Sequence, residues 1–354
     1  MSSKKLEGIQ ILRGYAAILV VVTHLWSVGL ISSALRFGRI GGLGVDIFFI
    51  ISGFIMCYSL GERLAPGDSF EFLKKRVHRV YPVYLIVLIP FLVEYLNHCS
   101  AIKAPIDSIL IVGNLLLLPS FFGGEDYRML VGPAWTLSYE LFFYALFAGA
   151  ISFSKSKNRA IYTVMICIVV MVVLVNLFGL KGERLQWVNV QYMVGDTLFF
   201  NFVIGCICYF LWRKYGRIFF NFWTAIGSAL VLTVMALALA KAGLPRLISL
   251  GVPAGGIVLI FLFAEFKTGS VTKLLLLLGS ASYSIYLVHA MISNWKYLVI
   301  GGTVRENDVT GFLLTVGAAA AGCIFYVIVE KPISRILHKR SRPPLQVALP
   351  LGKP

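Results

Sequence analysis

The chain has 354 residues, 58% of them hydrophobic and only 14% charged, with a mean hydropathy of +0.85. Apolar content on this scale excludes a soluble globular protein, and apolar runs that are continuous rather than alternating exclude a β-barrel, so the class is all-α, a polytopic helical membrane protein. The net charge of +16, from 32 Lys+Arg against 16 Asp+Glu, reads as the basic excess of cytoplasmic loops, and no nucleic-acid partner is expected.

A span needs about 20 apolar residues. In chain order, ten segments meet the rule: 9–30, 42–60, 80–97, 134–152, 160–180, 194–212, 219–240, 246–266, 273–294 and 311–330. The first is too long for a signal peptide, carries Arg13 and lacks a small-x-small cleavage site, so it is expected to remain as a span. An eleventh stretch, IDSILIVGNLLLLPSFF at 106–122, is short and reaches Pro119 near its end. With ten spans and the N-terminus inside, inner segments carry 21 Lys+Arg and outer loops 10, counting residues at span edges with their loops. A crossing at 106–122 would invert every later loop and spoil that asymmetry. The segment is therefore expected as a short re-entrant or interfacial helix on the outer side, with both termini cytoplasmic. A membrane domain over 1–338 is followed by a proline-containing tail, 339–354, expected to be disordered. Cysteines 57, 99, 167, 206, 208 and 323 show neither zinc spacing nor a disulfide framework; they read as small apolar residues, and no metal site is expected.

An ionisable side chain in hydrocarbon costs at least ~2.5 kcal/mol, so each one calls for a partner or a task. In the first span Arg13 and His24 are eleven residues apart, which puts them within ~20° of one helical face and ~16 Å apart along the axis. GLGVDIFFIISGF at 42–54 carries Asp46 near the outer end of the second span. GPAWTLSYELFFY opens the fourth span with Glu140 two turns in, and the ninth puts His289 in its outer third. Two carboxylates and two histidines are thus expected at one level. Asp46 is the natural candidate to hold the tautomer of His24, while His289 and Glu140 would position substrate or form a second ionisable pair. Polar gluing of helices and a snorkelling arginine are the structural alternatives. On the inner side KKRVHRVYP, 74–82, presents Arg76 and Arg79 at i, i+3, a topological signal, a lipid-headgroup contact or a phosphate fork. Glu330, at the end of the last span, would brace those arginines.

Six segments together resemble the membrane-bound acyltransferase-3 family: Arg13 with His24, GVDIFFIISGF at 44–54, RVHRVYP at 76–82, WTLSYELFFY at 135–144, SYSIYLVH at 282–289 and EKP at 330–332. They run in order across nearly the whole chain. The one departure, Thr136 where serine is common, is conservative. The resemblance implies transfer of an acyl group, most often acetyl, from cytoplasmic acyl-CoA to a hydroxyl of an exported carbohydrate or lipid-linked glycan. No permanently bound cofactor is implied, since acetyl-CoA or another acyl-CoA is the donor substrate. The stand-alone exopolysaccharide acetyltransferases are the nearest type, in a bacterial inner membrane.

Within that reading His24 is general base on the acceptor hydroxyl, or carries an acetyl-histidine intermediate. Asp46 orients His24, Arg13 meets the thioester carbonyl or pantetheine arm, and Arg76 and Arg79 take CoA phosphates. Trp26, Trp135 and Tyr139 would stack on sugar rings, with Tyr283, Glu140, His289 and Glu330 in support. Membrane lipids are the surrounding partner, and the sequence does not fix whether the chain forms a homo-oligomer. The competing class is a proton-coupled glycolipid transporter or flippase, which also wants Asp, Glu and His at one depth. It would be expected to show related halves and paired broken helices, and the sequence displays neither.

Overall fold

The computed structural model describes residues 6–120, 129–184, 188–216, 220–267, 269–300 and 307–340. In chain order the helices are α1 (Glu7–Leu25), α2 (Leu30–Ala34), α3 (Phe37–Ser59), α4 (Asp68–Ala101), α5 (Ser108–Leu116), α6 (Trp135–Ser152), α7 (Lys157–Leu177) and α8 (Val190–Val194). They are followed by α9 (Phe200–Tyr215), α10 (Phe222–Lys241), α11 (Val252–Leu262), α12 (Ser270–Ser280), α13 (Ser282–Ile300), α14 (Asp308–Phe325) and α15 (Lys331–Arg340). No strand is present among the described residues. The fold is an all-α bundle.

Each of the ten expected spans corresponds to a helix, a broken helix or a bent pair. Among the described residues eight helices are long and apolar enough to cross a membrane, and α12 with α13 makes a ninth as a pair bent by 66°. The bend breaks the span expected over 273–294, and its cause combines a local contact with one from α1. The Leu276 carbonyl accepts from Ser280 Oγ at 2.7 Å and from Gln10 Nε2 of α1 at 3.1 Å, and such intrusions into the backbone ladder bend helices. The eighth expected span is a π turn, Leu247–Gly251, running into α11; its 16 residues cover ~24 Å, short of a ~30 Å hydrocarbon core.

α5 is nine residues, ~14 Å, and cannot cross. Asp107 caps it by accepting from the backbone of Ile109 and Leu110, and Ile109 and Val112 lie exposed while Leu110 and Asn114 are buried. That two-sidedness suits an interfacial helix; residues 121–128 beyond it lie outside the described residues. Of the expected tail, 339–340 close α15 and 341–354 lie outside the described residues.

Packing centres on α1, which touches α3, α11, α12, α13 and α14, and on the α3–α9 seam. At several points only glycine allows the observed approach, and two show it best. A Cβ on Gly279 of α12 would stand 1.8 Å from the Gln10 carbonyl oxygen of α1, and one on Gly205 of α9 2.1 Å from the Ile50 oxygen of α3. Because the obstruction is backbone, Gly205→Ala must push α9 off α3, a loss of about 1–3 kcal/mol. Gly227→Ala, which meets nothing within 4 Å in α10, should instead raise helix propensity by up to ~1 kcal/mol. Melting temperatures in one detergent check both, and equal shifts for the two variants would contradict the seam.

Candidate active site

Here the end of the bundle where α1 begins is called proximal and the end where it finishes distal. The polar side chains do not share one level. They fall into a proximal pocket, a distal cavity, and an ion pair on the α3 side.

The proximal pocket, about 260 Å³, is lined by Arg13 of α1, Ser52 of α3, Arg79 of α4, Glu140 of α6 and Tyr283 of α13 among apolar residues. Glu140 accepts from Ser52 Oγ at 2.9 Å and from the Tyr144 hydroxyl. Arg13 lies within electrostatic reach of Arg79, Glu140 and Glu330, and Glu330 also accepts from Ser284 Oγ. Two guanidinium groups converge with two carboxylates close by, so anionic or strongly polarised groups can be received without leaving a bare charge in hydrocarbon. Tyr283 is committed to the bundle, donating to the Val80 carbonyl at 2.8 Å. Arg76 departs from the expected phosphate fork. It is buried, donates to Ser59 Oγ at 2.8 Å and rests against the rings of Phe72 and Tyr144, while Arg79 one turn on lines the pocket and is exposed.

The distal cavity, about 700 Å³, is lined by His24, Glu94, His98, Trp135, His289 and Asn294 with apolar neighbours. The rings of His24 and His289 lie 5.1 Å apart, and each Nδ1 faces the carbonyl four residues back on its own helix: Val20 at 2.9 Å and Ile285 at 3.3 Å. A carbonyl can only accept, so Nδ1 carries a hydrogen in both, which in the neutral ring leaves Nε2 as the basic nitrogen. Nε2 of His289 is buried without a partner. Two imidazoles thus stand side by side, each with its Nε2 turned away from its own helix backbone.

Asp46 does not serve His24. Its Oδ2 accepts from Arg246 Nη2 at 2.8 Å and Nε at 3.3 Å, and its Oδ1 from Asn201. The reason is depth. α3 begins at Phe37 rather than near 42, and the Gly41 amide donates to Thr23 Oγ1 at 2.6 Å, which fixes the antiparallel register with α1. Asp46 therefore lies ~9 Å deeper than His24, at 1.5 Å per residue. Glu140 is likewise too deep to share a level with the histidines and joins the arginines instead. Tyr139 is buried, donating to Asp196 Oδ2 at 2.7 Å, so only Trp135 of the two α6 aromatics reaches the cavity. Trp26 is also occupied, donating to Asp308 Oδ1 at 2.9 Å and packing on Phe37 and Phe312.

The sequence reasoning missed Arg246 and Asn201. Arg246 carries a readable signal, a cation at the mouth of an apolar run in a chain whose Asp46 needed one; Asn201, neutral inside a span, carries none. Glu94, His98 and Asn294 were also missed. Glu94 accepts from Asn294 Nδ2 at 2.8 Å and Trp295 Nε1 at 3.1 Å, tying α4 to α13 at the cavity rim.

The family model described as an acyltransferase domain matches residues 6–329. The chain belongs to the acyltransferase-3 family. This acyltransferase is 29% identical over 331 residues to the exopolysaccharide production protein ExoZ of Rhizobium meliloti (strain 1021), a match spanning 84% of the chain and 90% of the relative. It is 24% identical over 383 residues to the acyltransferase MdmB of Streptomyces mycarofaciens, covering 95% and 93%. Against the O-acetyltransferase OatA of Staphylococcus aureus (strain NCTC 8325 / PS 47) it is 25% identical over 373 residues, covering 94% of this chain and 58% of that protein. No solved structure matches. The family and the long apolar helices together make this a multi-pass membrane protein.

The Asp46–Arg246 pair should behave as a unit. Asp46 is buried, whereas the Arg246 side chain keeps 32% of its surface exposed. Arg246→Ala strands a carboxylate and should cost about 3 kcal/mol, while Asp46→Asn with Arg246→Gln together should recover most of that. A double-mutant cycle on thermal stability reads the coupling, and simple additivity would refute the pair as a unit.

Proposed function

We propose that this acyltransferase moves an acyl group, acetyl in the favoured case, from acyl-CoA entering the proximal pocket to a hydroxyl of an exported carbohydrate or lipid-linked glycan in the distal cavity. The proximal end then faces the cytoplasm with both termini, in a bacterial inner membrane, and the donor's acyl end threads toward an acceptor approaching from the other side. One observation carries the reading: α1 presents Arg13 to a proximal pocket and His24 to a distal cavity from nearly one face. Additional support comes from the printed names of relatives, one an exopolysaccharide production protein and one an O-acetyltransferase.

The chemistry is a direct acyl transfer. His24 Nε2 takes the proton of the acceptor hydroxyl as its oxygen bonds the thioester carbon, and the carbon–sulfur bond then breaks. CoA leaves as thiolate and receives that proton, so an ester and free CoA result. The Val20 carbonyl, rather than Asp46, holds His24 in the tautomer the step requires. Arg13 stabilises charge at the thioester end, where a preorganised cation in a low-dielectric site is most effective. Arg79 meets the phosphates of CoA at the pocket mouth, and Arg76, already spent on Ser59 and two rings, braces α4. Trp135 offers a sugar ring an apolar face at the cavity wall.

CoA at 100 times its dissociation constant should stabilise purified protein by about 2.7 kcal/mol. Arg79→Ala and Arg13→Ala should lose that shift. Arg76→Ala should lower the starting stability yet keep the shift. His24→Ala should keep the shift and lower the acetyl content of exopolysaccharide in producing cells by a hundredfold or more. A missing shift in folded wild-type protein would overturn the donor assignment, and undiminished acetylation by His24→Ala would overturn the base.

A further inference from the structure

The proximal pocket and the distal cavity share a wall one side chain thick. Tyr286 and Thr136 line the pocket, while Pro133 and His289 line the cavity. The Tyr286 hydroxyl donates to the Pro133 carbonyl at 2.9 Å and lies 2.8 Å from Thr136 Oγ1, which is itself 3.1 Å from that carbonyl. The Pro133 carbonyl thus accepts from both hydroxyls, which also lie against each other. Phe48 packs edge-on against Tyr286 at 5.7 Å from the proximal side, and the His289 ring lies 5.7 Å away on the other. Tyr286 and Thr136 are both buried. Tyr286 precedes His289 by three residues, so the wall stands less than one helical turn below the paired imidazoles.

Acyl transfer needs the thioester carbon and the attacking oxygen within about 3–3.5 Å. With the donor in the pocket and the base in the cavity, that meeting point falls at this wall. An acyl-CoA threading upward leads with the alkyl end of its acyl group, so that end runs against Tyr286 and Thr136, with Phe48 beside them. We propose that Tyr286, braced by Thr136 and the Pro133 carbonyl, is the specificity-determining residue that limits the acyl chain and shields the thioester from the water of the distal cavity. The inference rests on the acyl-CoA reading above. A short acyl group brings its carbonyl carbon up to the wall, whereas a longer one strikes the ring before its carbonyl arrives. A pocket of about 260 Å³ leaves little room for the chain to fold aside. The same ring narrows the passage from the distal cavity, so that without an acceptor hydroxyl placed at His24 the side reaction is slow, in which water oxygen bonds the acyl carbon, the carbon–sulfur bond breaks, and a free carboxylic acid and CoA thiol result.

The test uses the purified full chain with acetyl-, butyryl- and hexanoyl-CoA, reading both stabilisation on binding and thiol release without any acceptor. Wild-type protein should be stabilised most by acetyl-CoA and release thiol slowly. Tyr286→Ala should raise the preference for butyryl- over acetyl-CoA at least tenfold and acceptor-free thiol release at least tenfold, a size in keeping with the 10–200-fold that one methylene is worth in an apolar pocket. Tyr286→Phe keeps the ring and should retain the wild-type chain preference. Thr136→Ala opens the wall from α6 and should shift it in the direction of Tyr286→Ala, which keeps the test decisive if that variant fails to fold. Unchanged preference and unchanged thiol release in folded, CoA-binding variants would overturn the partition alone. A wild-type protein stabilised by no CoA compound would instead overturn the donor reading, and the partition with it.

Discussion

Helix α1 fixes the frame in which every polar group here has to find its place. Its backbone is held at contact distance by α12 through Gly279 at Gln10, and its register against α3 by the Gly41 amide on Thr23. Both contacts engage main-chain atoms of the neighbour, so α1 cannot slide or rotate without breaking them. Arg13 and His24 inherit that rigidity. Their separation of ~16 Å along the axis is set by helix geometry and divides the interior into two chambers served by one element.

Burial in hydrocarbon then governs how the remaining charges sort themselves. A bare carboxylate would be too costly to retain, and each of these has donors or a cation within reach: Asp46 has Arg246, Glu140 and Glu330 have Arg13, Asp196 has the Tyr139 hydroxyl and the Leu198 amide, and Asp308 has the Trp26 indole and two backbone amides. The histidines each give one nitrogen to the backbone of their own helix. Partner choice in the membrane is thus decided by depth, and depth by where each helix starts. Asp46 and His24 sit on neighbouring helices yet ~9 Å apart in level, and the ion pair with Arg246 follows from that offset.

The architecture was legible because spanning imposes a length: ten apolar runs yielded ten helical counterparts, and the short run at 106–122 yielded a helix too short to cross. Less visible were the breaks inside those runs. The bend between α12 and α13 depends on Gln10, more than 260 residues away, reaching the Leu276 carbonyl, and no local pattern records that. Of the nominated site residues, Arg13, Arg79, Glu140 and Tyr283 meet around one pocket, and His24, His289 and Trp135 around one cavity. Tyr139 and Arg76 carry the right chemistry but are spent on Asp196 and Ser59. Helical spacing states which face a side chain shares, and says nothing of which neighbour will claim it.

The π turn at Tyr326–Glu330 gives a last lesson about phase. A π turn holds one residue more than an α turn, so everything after it lags by about 100° relative to an uninterrupted α-helix. Glu330 closes that turn, and its carboxylate is held at Ser284 beside Arg13. Counted at 3.6 residues per turn from α14, the same glutamate would be assigned a different azimuth. The extra residue is thus a rotary adjustment built into the last span: it lets one helix keep an apolar exterior along most of its length and still return a single acidic side chain to the interior at its end.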